Sequence, residues 1–546
     1  MTWTLAGSGR LTRRRLHRVA AGAIAAGPAA GVLPGGTGMA QLRQGALPDA
    51  VLAIMGKPRY ARATWSLLVA DVATGAPHFA LRPDDLAFTG SVRKLFSVGL
   101  ALLRLGPAGR VTTPVYRRGA VDGGTLRGDL VLVGAGDLTL GGRRNADGTV
   151  AVPDFDHNDA NNLGTALLSP QDPLLGLDAL ARQVAAAGIA AVDGDVVVDD
   201  RLFVPYRVPN QNLLVTPVMV NENMVDVTVT PTWPGQPAQV DWRPRSGAFA
   251  VTGGVGTGAL DTASSVDLSG GGLIACAGSP DCTGSLDGDI PLGFRAPLSA
   301  STTLVQTFRV EDPPAYARTA FVEALARAGV AVGAPPVAPN PRQRLPAPGA
   351  YPAETRVAAF DSATYGEHAR LILKVSLNLG ANLSLSLFGL ANGQPTIDGA
   401  LAAERRALTE QLGLAGESFS FPTNGSGSPD SRATPRAVVQ LLIRMGQSPV
   451  ADAYRAALPI LGVDGSLAGT GTDSPARGYV TAKTGTTVSE GELKAQNLAG
   501  YIEGRSGRRL AFALFVNDAG RLQRIEEVGE VLEDEAAIAS AVRDAL

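Results

Sequence analysis

Of the 48 basic residues in this 546-residue chain only five are lysines, Lys57, Lys94, Lys374, Lys483 and Lys494. The rarity matters because a guanidinium stays protonated to a pKa of about 12 or more, whereas a buried amine can be tuned down from about 10.4 and carry a proton. Lys94 is the one with a serine three positions before it, in Ser91-Val92-Arg93-Lys94. On a helix these two positions share a face, so the amine can take the proton that makes a serine hydroxyl a nucleophile. A polar cap ahead of an apolar helix would account for Ser91 equally well. Lys483-Thr484-Gly485-Thr486 follows Val480 on a strand-like run. An amine and a hydroxyl on one strand edge, with a glycine permitting close approach, suit the binding of a carboxylate; the plainer reading is a strand ending in a turn. Ser376-Leu377-Asn378, two residues after Lys374, supplies a hydroxyl and an amide able to shuttle a proton and hold a substrate. By itself that tripeptide carries almost no information.

The elements that must position these groups follow from periodicity. Ser66 to Val72 alternates as a strand, and Val92, Leu95, Phe96, Leu100 and Leu103 recur at helical spacing after Gly90. From about Val115 short strands alternate with Gly/Asp turns, as in Gly128 to Gly134, Gly194 to Asp200 and Val225 to Thr230, with one helix at Leu177 to Ala187. A Pro-rich stretch at Pro335 to Pro352 marks a boundary. Beyond it, helices are expected at Tyr365 to Leu390, Asp398 to Leu412 (with Asp398 as N-cap) and Pro435 to Met445. Strands follow at Gly478 to Thr484, Leu498 to Glu503 and Arg509 to Val516, then a helix from Glu526 to Leu546. The simplest architecture is an α/β domain built from both ends of the chain, residues 41–115 and 353–546, around a β-rich insertion of 116–352 divided into two subdomains.

Length and composition agree with this division. A single core stops growing at about 250 to 300 residues, so this chain must split. With 45% hydrophobic and 18% charged residues it can bury large cores. A formal net charge of −2 and the lack of a long basic run beyond the N-terminus argue against a nucleic-acid partner. Residues 1–40 read as a signal peptide: Arg13, Arg14, Arg15 and Arg18 precede an Ala/Gly-rich stretch from Val19 to Leu33, with small residues at Gly38-Met39-Ala40. Thr12-Arg13-Arg14-Arg15-Leu16 partly fits a twin-arginine pattern, and an ordinary secretory signal fits as well. Pro28 and Pro34 interrupt the stretch, so a membrane anchor is not expected there or later. The protein is expected in the periplasm or cell envelope. Cys276 and Cys282 are open to forming a local disulfide in an oxidising compartment, if geometry permits.

Taken together and in this order, the three motifs resemble the signature of the penicillin-binding and serine β-lactamase superfamily. The resemblance narrows to the D-alanyl-D-alanine carboxypeptidase/endopeptidase branch, the low-molecular-mass class C penicillin-binding proteins, which carry a long insertion between the first two motifs. Ser91 and Ser376 lie 285 positions apart. Other segments look like that branch too, among them Gly128-Asp129-Leu130, Asn221 to Val227, Asn424-Gly425-Ser426-Gly427 and Gly462-Val463-Asp464-Gly465. The resemblance implies a penicillin-binding/β-lactamase-like transpeptidase domain, an antiparallel sheet flanked by helices, with β-rich inserted domains.

It also implies roles. Ser91 would attack the carbonyl of the penultimate D-alanine of a peptidoglycan peptide, with Lys94 as base; Ser376 and Asn378 would relay a proton and hold the substrate. Lys483 and Thr484 would bind the terminal carboxylate beside Gly485, and the N–H groups of Ser91 and Thr486 would form an oxyanion hole. Penicillins and other β-lactams would be inhibitors. Three positions depart from the family pattern: Leu377 for an Asp or Asn, Asn382 for an acidic residue, and Asn424 for an Asp. His17, His78, His157 and His368 lie away from the motifs, so a Ser-His-Asp triad has no members. No cluster with metal-ligand spacing is legible, and neither metal nor cofactor is expected. A β-lactamase or esterase of the same fold, or an idle envelope-binding scaffold, are the competing readings.

Overall fold

The strand Thr64–Asp71 finds its partner at the other end of the chain, pairing antiparallel with Arg509–Asn517 so that Leu67 faces Leu514. Both belong to a five-stranded antiparallel sheet ordered Val480–Ser489, Glu492–Glu503, Arg509–Asn517, Thr64–Asp71, Pro77–Leu81. Every residue of the middle strand after Arg509 is buried, so both sheet faces require cover. The C-terminal helix Glu526–Ala545 covers one, where Val531, Ile538 and Val542 join Leu67, Val480, Leu498 and Phe512 in one core. Helix Pro435–Gly446 packs on the same middle strand. It starts with Pro435 behind Thr434, whose hydroxyl caps the Ala437 N–H at 3.0 Å.

The computed structural model describes residues 2–4, 10–12, 45–209, 213–524 and 526–546. Most of the expected leader, including residues 13–40, therefore lies outside the described residues, as does His17. The chain forms two compact units: one holds residues 108–371 and 377–383, the other residues 372–376, 384–546 and the segment ending at Pro107. Among the described residues no helix is long and apolar enough to cross a membrane.

Within the first unit, the hairpin Arg110–Asp122/Thr125–Val133 is the centre of a sheet that adds Arg356–Asp361 on one strand and Val196–Asp199, in parallel, on the other. Among the described residues three further sheets follow, one around Met224–Thr230 and Leu304–Val310, one around Ala250–Gly258 and Thr283–Pro291, and a two-stranded one of Tyr206–Arg207 and Leu214–Val215. Cys276 and Cys282 form a disulfide.

Three sequence expectations need correction. The single helix expected at Tyr365 to Leu390 is two, Tyr365–Lys374 and Asn378–Ala391, because Ser376 takes a left-handed φ of 63° that no helix accommodates. Asp398 is not an N-cap; Thr396 caps the helix Ile397–Arg406, and Asp398 sits in its first turn. The strand expected to end at Thr484 continues to Ser489.

The first unit also gathers charges that the sequence scatters. Arg143 holds Glu222 through two hydrogen bonds of 2.7 Å and Asp156 through a third contact of 2.7 Å. His157 places Nδ1 2.6 Å from Asp226, whose other oxygen accepts from Arg243 at 3.1 Å, and Nε2 against Glu222. The carboxylates and the imidazole of Asp156, His157 and Glu222 come within 4.8 Å of one another, a cluster of metal-ligand type that spacing did not reveal. Arg143 already supplies the cation there. Burial alone would favour a neutral imidazole, but Asp226, Glu222 and Asp156 outweigh it and raise the His157 pKa from 6.5 to about 10.

A raised histidine pKa gives stability that is complete below the unfolded value near 6.5 and lost as pH climbs through about 10. Thermal melts followed by circular dichroism should thus show the wild-type midpoint falling between these pH values. His157→Gln should melt lower at pH 6, by an amount equivalent to about 3 kcal/mol for a broken buried pair, and should show a flatter alkaline slope.

Candidate active site

Ser91 does not lie in the α-helix proper. It sits on a 3-10 turn, Gly90–Arg93, that runs directly into the α-helix Lys94–Leu105. With three residues per turn, positions i and i+3 eclipse, which brings Ser91 and Lys94 closer than an α-helical turn would. The Lys94 Nζ lies 2.5 Å from Ser91 Oγ. Ten of the twelve residues of the helix are buried, so it is a core element and Lys94 itself has no exposed surface. Its amine therefore needs hydrogen-bond partners from the protein. It donates also to Ser376 Oγ and to the Ser426 carbonyl, each at 3.2 Å.

Ser376 reaches that position from the gap between two helices. Its left-handed backbone costs about 1–3 kcal/mol, and a clamp two residues earlier holds it. Lys374 Nζ donates to both oxygens of Asp464, at 2.7 and 2.6 Å, and to the Leu458 carbonyl at 2.9 Å. Leu377 is fully buried, which explains how an apolar residue is tolerated where the family has a polar one. Asn378 opens the next helix, and its carbonyl accepts from Asn382, whose own oxygen accepts from Tyr206 at 2.7 Å. The amide at 382 thus donates and accepts at once, which an ionised carboxylate cannot do.

Lys483, Thr484, Gly485 and Thr486 lie in the interior of the strand Val480–Ser489, with Lys483 opposite Ala499 and Thr486 opposite Gln496. Lys483 has no exposed surface and donates to the Thr484 carbonyl at 2.9 Å; the Thr484 hydroxyl lies 3.1 Å from that of Ser466. Two glycines let this strand touch the Ser91 turn. A Cβ on Gly485 would stand 2.3 Å from the Thr89 carbonyl oxygen, and one on Gly90, where φ is +46°, would stand 2.7 Å from the Thr486 nitrogen. Backbone-to-backbone approach is open only without side chains.

The loop that supplies the Ser426 carbonyl is shaped by Asn424. Its oxygen accepts from the N–H groups of Ser426 at 2.8 Å and Gly427 at 2.7 Å, while its amide donates to the Ser428 carbonyl at 3.2 Å. An aspartate could make the first two bonds but not the third. Ser97, one turn along the Lys94 helix, donates to the Gly425 carbonyl at 2.7 Å.

Sequence reasoning passed over Arg93 and Glu404. Arg93 occupies a variable position inside the first motif, yet it is fully buried, forms a two-armed pair with Glu404 and stacks 3.9 Å from the centre of the Phe421 ring. Burial pushes the Glu404 carboxyl up more strongly than Arg93 pulls it down. The pair fixes the turn that carries Ser91 from behind. The one signal in the sequence was an arginine beside Val92, Leu95 and Phe96, the apolar residues of the helix start.

A half-buried serine against a fully buried lysine, beside a KTG strand edge on an antiparallel sheet faced by helices, defines the serine acyl-transferring class of penicillin-binding folds. The chain belongs to the D-Ala-D-Ala carboxypeptidase 3 (S13) family, whose pattern it matches over residues 47–535. Among curated proteins it is similar to the D-alanyl-D-alanine carboxypeptidase of Actinomadura sp. strain R39, 29% identical over 86% of this chain and 81% of that one. Among solved structures it shares the fold of penicillin binding protein 4 from Haemophilus influenzae, with a TM-score of 0.66 and 18% identity over 90% of this chain and 99% of the other. The same Haemophilus protein complexed with a β-lactam gives a TM-score of 0.63 and 17% identity over the same shares.

Removing one member of the Arg93–Glu404 pair leaves the other buried without its partner. Arg93→Met should lower stability to denaturant by about 3–5 kcal/mol, and Glu404→Leu in the same chain should restore much of it. Urea unfolding of the two singles and the double checks this; additive losses would show that the pair does not act as a unit.

Proposed function

We propose that this protein is a serine D-Ala-D-Ala carboxypeptidase and/or endopeptidase that hydrolyses peptidoglycan stem peptides or their cross-links through an ester on Ser91. The observation that carries the reading is the buried Lys94 amine, 2.5 Å from Ser91 Oγ and 3.2 Å from Ser376 Oγ. A scaffold that only binds the envelope has no use for a nucleophile held against a desolvated amine. Membership of a carboxypeptidase family and likeness to a named carboxypeptidase support the same reaction.

In this mechanism Ser91 Oγ loses its proton to Lys94 as it attacks the carbonyl carbon of the penultimate D-alanine. The N–H groups of Ser91 and Thr486 receive the negative charge that develops on the carbonyl oxygen, each donor of this kind being worth about 3 kcal/mol in the transition state. Lys94 hands that proton to Ser376, 3.2 Å away, which passes its own to the departing D-alanine nitrogen while Asn378 holds the substrate amide; the C–N bond breaks and the acyl group stays on Ser91. Water then attacks the ester, its proton returns to Ser91 through Lys94, and the shortened peptide leaves as a carboxylate. Lys483 and Thr484 hold the carboxylate of the terminal D-alanine, and Gly485 leaves room for the peptide backbone. We place this chemistry in residues 41–115 with 353–546 and treat 116–352 as inserted. A cell-wall substrate sets the enzyme in the periplasm or envelope, and the arginines at 13–15 ahead of an Ala/Gly-rich stretch support a cleaved leader.

Incubation of the mature protein with a fluorescent penicillin and, separately, with a D-Ala-D-Ala peptide tests the assignment. Wild type should carry lasting label and release D-alanine, and Ser91→Ala should do neither. Rapid turnover of the penicillin would make it a β-lactamase, and no label on wild type would leave only a scaffold.

A further inference from the structure

Glu535 is a carboxylic acid with no exposed surface. It sits on the C-terminal helix among Val531, Ala536, Ile538 and Ala539, where an apolar residue would pack at lower cost. One of its oxygens, Oε2, accepts from Gln496 Nε2 at 3.3 Å, and the other has no hydrogen-bond partner. Gln496 is equally buried and turns its own oxygen to the Thr486 hydroxyl, which donates to it at 2.7 Å. Thr486 and Gln496 are direct cross-strand neighbours. Three polar side chains thus run in a line from the middle of the apolar layer behind the sheet to the strand residue whose nitrogen abuts Gly90. A polar group retained at such a site at the expense of stability calls for an explanation.

We propose that Glu535, acting through Gln496, is a positioning residue that fixes the Thr486 peptide for its role as an oxyanion donor. The assignment rests on the carboxypeptidase reading given above and adds to it a member outside the three motifs. Glu535 works as a neutral acid. Burial pushes its carboxyl well above the ordinary range, and the neighbouring charge of Asp534 adds to the rise, against the Gln496 bond, which lowers it. The titratable groups facing this corner are Asp534 on the same helix, held by Lys57 and the Tyr60 hydroxyl, and Arg59 paired with Glu530. None of these cations touches Glu535. Ionisation would strengthen the bond from Gln496 but place an uncompensated carboxylate beside Asp534 in the apolar layer, and the displacement of the helix that relieves it would carry Gln496 with it and loosen the Thr486 peptide at alkaline pH.

The test compares wild type, Glu535→Gln, Glu535→Leu, Gln496→Leu and the Glu535→Leu/Gln496→Leu double variant in the full chain. It reads the acylation rate with fluorescent penicillin across pH, the melting temperature and the backbone hydrogen exchange of Thr486. Glu535→Leu and Gln496→Leu should each acylate at least about tenfold more slowly, the scale expected for a small misplacement of a catalytic group. The double variant should be no slower than either, Thr486 should exchange faster in all three, and Glu535→Leu should melt no lower than wild type. Glu535→Gln, which keeps a hydrogen-bonding side chain and cannot ionise, should acylate close to wild type at neutral pH and hold its rate to higher pH. Rates within twofold of wild type with unchanged Thr486 exchange would overturn the proposal, as would equal losses in Glu535→Gln and Glu535→Leu, which mark packing. Failure of wild type to take up penicillin would sink the carboxypeptidase reading, while the exchange data would still decide the tether.

Discussion

A primary amine enclosed in protein is the constraint around which this molecule is arranged. Taking the polar head of Lys94 out of water is costly unless hydrogen bonds replace the lost hydration. The three oxygens that supply them come from positions 91, 376 and 426. Each demands something of its surroundings: a 3-10 turn at Ser91, a broken helix at Ser376, and a loop folded around Asn424. The strained backbone at Ser376 persists because Asp464 holds Lys374, two residues before it, and the turn at Ser91 persists because Glu404 holds Arg93, two residues after it.

The same economy of charge recurs in the other compact unit. Asn221, Glu222 and Asn223 all have positive φ, an unfavourable conformation for side chains with a Cβ. Glu222 nonetheless keeps it, because the bend delivers its carboxylate to Arg143 and His157. In both units, then, a costly piece of backbone is held by an ion pair, fully buried at Glu222 and partly buried at Lys374–Asp464, and the pair depends on geometry that only that backbone provides.

Much of this was legible in the sequence because catalytic chemistry restricts residue type more tightly than packing does. Five lysines among many arginines made Lys94 and Lys483 conspicuous, and hydroxyls at fixed offsets completed the pattern. The strands Thr64–Asp71 and Arg509–Asn517 and the C-terminal helix were readable from alternation and amphipathic spacing. The break at Ser376 was not, since Val375, Leu377 and Leu379 sustain an apolar pattern through it and the left-handed residue is set by tertiary contacts. Arg93–Glu404, the His157 network and Glu535–Gln496 stayed hidden for a related reason. A charged residue in an amphipathic helix looks solvent-facing, and only the fold shows that its partner lies tens to hundreds of positions away.

The pairing of Thr64–Asp71 with Arg509–Asn517 also bears on the order in which the molecule comes into being. As the ribosome makes the chain, Thr64–Asp71, Ser91 and Lys94 emerge long before the strand Arg509–Asn517 that completes their sheet. Contacts of such long sequence separation form slowly, so the earlier segment must wait, with an apolar strand edge uncovered, until that strand has followed. A polypeptide cut before Arg509 would carry Ser91 and Lys94 without the sheet that backs them, so their buried arrangement forms only once that strand is in place.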